Sequence, residues 1–138
     1  MIAGFLGTAL MTVSQLIEMK ITRREASFTP AIIISRIFRI PFERLSERNK
    51  VRLNWTVHIG YGTLLGLTVP VLMLFIQNLF ALALINFIVV WGQGLIMVPL
   101  LGGHSPPWKW GLKWLFLDGF HHFVLSTATA VLYLTLLL

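Results

Sequence analysis

Glu18, His58, Asp118, His121 and His122 are the side chains best suited to chemistry, and each lies inside or at the edge of a long apolar run. Imidazole and carboxylate groups can exchange protons, and together they ligate zinc, iron or manganese. Asp118 stands three residues before His121 and four before His122, so on a helix either histidine can meet the carboxylate. The Asp-x-x-His spacing is that of the ligand pairs in carboxylate helix bundles, although only one such pair is present. Glu18, His58, Asp118 and His122 form the candidate metal set, and a single haem b between His58 and His121 or His122 is a further option. Neutral polar groups extend the cluster. Asn54, His58 and Tyr61 share a helix face, and Gln93 follows Asn86 by seven residues and so returns to the same face.

The same residues permit two other readings. They can hydrogen-bond across helices and fix one packing, each bond contributing about 0.6–2 kcal/mol. They can also line a proton path or ligand pocket. Several chemistries are excluded. There is no cysteine, so disulfides and thiolate sites are absent. No Gly-x-Ser-x-Gly, phosphate-loop or dinucleotide fingerprint occurs, and no catalytic residue is assigned. His104, in the loop Gly102–Pro107, reads as a solvated loop residue.

The elements that must position these groups follow from composition. Of 138 residues, 57% are hydrophobic and 12% charged, and the mean hydropathy is +0.82. A soluble domain carries about 25% charged residues, so lipid must be the solvent for most of this surface. A helix needs about 20 apolar residues to cross about 30 Å of hydrocarbon. Runs of that kind cover residues 2–19, 53–75, 79–101 and 112–138, the second interrupted by Pro70. The expected fold is all-α: a polytopic membrane protein forming one domain over 1–138, a four-transmembrane-helix bundle. The short Gln77-Asn78 turn makes the second and third spans antiparallel neighbours.

Charge sets the orientation. Nine of the eleven Lys and Arg residues lie between Lys20 and Arg52, and Lys109 and Lys113 separate the last two spans. The positive-inside rule puts both segments in the cytoplasm and both termini outside. Met1 runs straight into apolar residues with its positive charge following, which reads as a reverse-oriented anchor and not a cleaved signal. Topology and anionic lipid account for the net charge of +6, and no nucleic-acid partner is expected.

Between the first two spans, residues 30–49 read as an amphipathic helix lying in the cytoplasmic interface. Thr29-Pro30 is a start signal, Pro41 a kink, and Ile33, Ile34, Ile37, Phe38 and Ile40 form an apolar face. Arg36 and Arg39 would meet lipid headgroups. On the first span, Gly4, Gly7, Met11 and Ser14 form a stripe with Glu18, suited to close helix approach, and Gly62-x-x-x-Gly66 reads as tight packing. Counted from the basic end, Glu18, His58, Gln93, Asp118 and His122 all lie in the cytoplasmic leaflet. That shared depth predicts that Glu18, His58, Asp118 and His122 converge.

Glu18-Met19-Lys20, then Arg24, Ser27 and Pro30, then His58 and Tyr61-Gly62, resemble small uncharacterised four-helix bacterial inner-membrane proteins. In these a first span ends in Glu before a basic, Ser- and Pro-containing segment. The resemblance covers the first half of the chain, implies the topology and a bacterial inner membrane, and carries over no activity. The leading expectation is a non-catalytic accessory or structural subunit with no resident cofactor, packed against other membrane subunits or itself. The alternatives are a metal- or haem-binding redox protein and an oligomeric transporter or channel.

Overall fold

A computed structural model describes residues 1–102 and 104–137, and these are helical with no strand among them. The helices are α1 (Ile2–Thr22), α2 (Thr29–Ile37), α3 (Glu47–Leu65), α4 (Thr68–Met73), α5 (Leu79–Leu100) and α6 (Leu112–Leu137). Short 3-10 turns lie at Phe42–Arg44 and Pro107–Lys109. α3 and α4 form one broken rod, Glu47–Met73, which with α1, α5 and α6 gives four helices long and apolar enough to cross a membrane.

Local chemistry fixes the boundaries. The second rod starts at Glu47 and not near Leu53, because Ser46 caps it by accepting from the Asn49 N–H at 3.4 Å. Its break precedes Pro70. That residue has no N–H for the Gly66 carbonyl, so the chain tightens through Gly66→Thr63 and Leu67→Leu64 bonds before α4 begins. In α4, Pro70 occupies the first turn, where no N–H is needed. Asn78 starts α5 by accepting from the Ala81 N–H at 3.1 Å.

α1 and α6 are the central antiparallel pair; α3 lies against α1, α5 against α6, and α4 closes the far end against α5 and α6. The small-residue stripe explains how close α1 comes to α3. A Cβ on Gly4 would fall 2.5 Å from the Thr63 carbonyl oxygen and 2.8 Å from the Gly66 Cα, so only glycine fits. Gly62 is placed against Thr8, and Gly66 against Gly4, so both glycines of the Gly-x-x-x-Gly pair serve packing inside the bundle. Two apolar layers fill the centre: Met11, Val90 and Leu125, and nearer the far end Val69, Leu82 and Ala130.

The segment between the first two rods departs from the expected 30–49 helix. α2 ends at Ile37, Arg39 takes a left-handed turn at φ 54, and Phe42–Arg44 makes only one 3-10 turn. Phe28 occupies the N-cap position, Thr29 and Pro30 are already helical, and Thr29 supplies no cap bond. The face of α2 turned to the protein is Ala31 and Ser35, packed on α3, while Ile37 and Phe38 are exposed. Because α1 and α5 run toward the end from which α3 and α6 set out, all the Lys and Arg residues gather at one end of the bundle.

Candidate functional site

Glu18 sits in the last turn of α1, only 8% exposed. Arg23 ends the helix in a left-handed conformation at φ 55, which folds the following residue back toward the helix it has just left. Arg24 thereby reaches Glu18, with Nη2 2.7 Å and Nε 3.3 Å from Oε2. Thr22 donates to the other carboxylate oxygen at 2.7 Å. On the far side, His121 Nε2 lies 3.7 Å from Glu18 Oε2 and has no hydrogen-bond partner, although the residue is only 3% exposed. A proton on that nitrogen converts the contact into an ion pair linking α6 to α1.

Backbone-anchored hydroxyls set the ring states of two histidines. The Ser14 hydroxyl gives its single proton to the Met11 carbonyl at 2.7 Å, so it must accept from His121 Nδ1–H at 2.8 Å. Thr12 likewise donates to the Thr8 carbonyl at 2.8 Å and accepts from His58 Nε2–H at 3.0 Å. His122 is tied within its own helix, Nδ1 lying 2.8 Å from the Asp118 carbonyl oxygen and 3.6 Å from its Oδ2. That leaves His122 Nε2 facing α5 at Gly94.

Several further polar side chains are paired across elements. Asp118 Oδ2 accepts from Trp91 Nε1 at 2.9 Å, and Gly119 leaves room for the Trp91 ring to lie on α6. Gln93 donates to the Tyr61 hydroxyl, joining α5 to α3. Asn54 accepts from the Ala31 N–H at 3.2 Å, satisfying a free donor in the first turn of α2, and donates to the Ser27 carbonyl at 3.1 Å. Arg36 Nη1 reaches across from α2 to the Gly102 carbonyl at 2.5 Å and the Leu101 carbonyl at 3.4 Å, capping the C-terminus of α5. That nitrogen, expected on a lipid headgroup, is engaged by protein; Arg39 is exposed.

Glu18, His58, Asp118 and His122 therefore share a depth without sharing a centre. Glu18 belongs with Arg24 and His121, His58 with Thr12, and Asp118 with Trp91 and His122. Among the described residues no three His, Asp or Glu side chains form a group that could hold a metal ion. Reading by residue type passed over Thr12 and Trp91, took Arg24 only as part of the basic segment, and took Ser14 only as a packing residue. The signal for Thr12 was its place four residues after Thr8, where a hydroxyl bonded to its own helix becomes a fixed acceptor. Asn86, 1% exposed, binds Thr68 Oγ1 at 2.5 Å and the Ser126 carbonyl at 3.4 Å nearer the far end. An open apolar groove of about 450 Å³ lies between Leu10 of α1 and Phe120, Phe123 and Val131 of α6, and no histidine lines it.

The chain matches no protein-family model, and no curated protein or solved structure matches it.

Proposed function

We propose that this is a multi-pass bacterial inner-membrane protein with both termini outside, acting as a non-catalytic structural or accessory subunit of a larger membrane complex. One observation carries the reading: several intramembrane polar groups are paired between helices, Thr12 with His58, Ser14 with His121, Trp91 with Asp118 and Gln93 with Tyr61. Groups used in that way pin helices in register. The uneven cover of the bundle adds support. The spans of α1 and α6 are 39% and 33% buried within the chain, those of α3–α4 and α5 only 17% each. The latter two rods offer their flanks to lipid or to neighbouring proteins. The metal reading draws less from the geometry, since among the described residues no three His, Asp or Glu side chains form a group that could hold a metal ion.

The test is a pull-down of the full chain from native membranes in mild detergent, read by mass spectrometry, elemental analysis and absorption. Other membrane chains should co-purify in fixed proportion, without a Soret band or stoichiometric metal. A Soret band or bound metal without partner chains would replace this reading with the redox one.

A further inference from the structure

We infer that Glu18 and His121 form a proton-binding site that, when loaded, ties α6 to α1. The carboxylate makes the first half. It accepts from Arg24 Nη2 at 2.7 Å, Arg24 Nε at 3.3 Å and the Thr22 hydroxyl at 2.7 Å. A carboxylate has room for about four donors, so one position is left. Arg24 stays charged at every working pH, and its partner here is the carboxylate anion. The imidazole makes the second half. Ser14 accepts from its Nδ1–H, so Nδ1 already carries a proton and Nε2 is the bare nitrogen. Nε2 is buried, has no hydrogen-bond partner and lies 3.7 Å from Glu18 Oε2. Two acceptors thus face each other. A proton on Nε2 turns one of them into the fourth donor. Closing the pair to the length of a charge-assisted hydrogen bond then needs a movement of about 1 Å.

The other ionisable groups around the pair have different roles. α4 and α5 also pack on α6, and neither contains an ionisable side chain. On α6, the Asp118 carboxylate receives Trp91, and His122 turns to α5. On α3, His58 gives its Nε2 proton to Thr12. Glu18 lies four residues before Thr22, the end of α1, and so about 6 Å inside that end. The Arg24 side chain beside it is 32% exposed, which opens the site to protons from solution at the basic end. An ion pair formed at so buried a place is screened little by solvent. Because α1 and α6 are the central pair of the bundle, loading couples the pH on that side to its main helix contact.

The site requires only the α1–α6 contact, whichever proteins the chain joins. The test uses the full chain in detergent, with Glu18→Gln, His121→Asn and the double variant. Asparagine keeps an N–H for Ser14 and lacks the second nitrogen. Unfolding is measured at about pH 8 and about pH 5, the range in which imidazole changes charge. The coupling between positions 18 and 121 should be small at the higher pH and rise by roughly tenfold at the lower. The cycle cancels the loss of the Arg24 pair, which both proteins carrying Glu18→Gln share. Where a variant fails to fold, nitrogen NMR of the histidine-labelled wild-type chain reads the site directly. His121 should carry a proton on Nδ1 alone at the higher pH and on both nitrogens at the lower. A coupling that does not change with pH, a His121 protonated on Nε2 alone, or an Nε2 still bare at the lower pH would overturn the inference.

Discussion

The Thr12 hydroxyl gives its only proton to the Thr8 carbonyl, and that decides how His58 must be protonated where the two helices touch. Removing the hydroxyl orphans a ring N–H in a part-buried position, which costs about 1–3 kcal/mol. Thr12→Val should therefore lower stability by about that amount, measured by denaturant unfolding in detergent. Thr12→Ser, which keeps the oxygen, should lose much less. Thr135→Val is the control: its hydroxyl also bonds its own helix, but it is exposed and nothing depends on it, so stability should barely move. These pairings also show where residue-type reading ran out. Depth along a helix can be counted in a sequence, and it places Glu18, His58, Asp118 and His122 in one layer. Direction around the helix cannot be fixed until the neighbours are known. Successive residues differ by about 100° at 3.6 per turn, so His121 turns to α1 and Glu18 while His122 turns to α5.

At the scale of elements, two glycines of the second rod make a sharp comparison. Gly66 touches the Gly4 backbone, whereas a Cβ on Gly60 would meet nothing within 4 Å. Gly4→Val or Gly66→Val must push α1 from α3, and overpacking of that kind costs about 1–3 kcal/mol or more. Gly60→Ala should instead be neutral or stabilising by about 0.5–1 kcal/mol, since alanine restricts the unfolded chain and the site has room. Thermal melts of the three variants in one detergent would separate the outcomes; a Gly66→Val protein as stable as Gly60→Ala would refute the close contact. α2 depends on two side-chain ties, Asn54 at its first turn and Arg36 from its last turn to the end of α5. Arg36→Ala should leave the four long helices intact while amide exchange over residues 29–37 accelerates. The long helices were legible because hydropathy over about 20 residues is a strong signal. α2 was less so: its isoleucines marked a face for the lipid interface, whereas the face packed on α3 is made by the small Ala31 and Ser35, which no hydropathy signal picks out. Its early stop comes from left-handed Arg39, for which no residue type gives notice.

For the whole molecule, the antiparallel order of α1, α3–α4, α5 and α6 makes orientation a single choice that all four rods share. An even number of crossings returns the chain to the side from which it began, and the packing gathers every Lys and Arg at the opposite end of the bundle. Moving those cations across a bilayer would be costly: translocon-based insertion measures give about 2.5–3.5 kcal/mol for an Arg or Lys at mid-membrane. The basic end also carries Trp55, Trp108 and Trp114, all exposed, where indole rings favour the headgroup layer. Indole rings favour both interfaces, so the proposed orientation rests on the placement of Lys and Arg alone. A periplasm-active reporter fused after Leu138 should therefore be active, and the same reporter inserted within Glu43–Lys50 inactive. The reverse pattern would turn the bundle over. In that case the Glu18–Arg24 pair and the Arg36 clasp on α5 would face the periplasm, and the cytoplasmic placement of Lys and Arg would no longer explain the asymmetry of the chain.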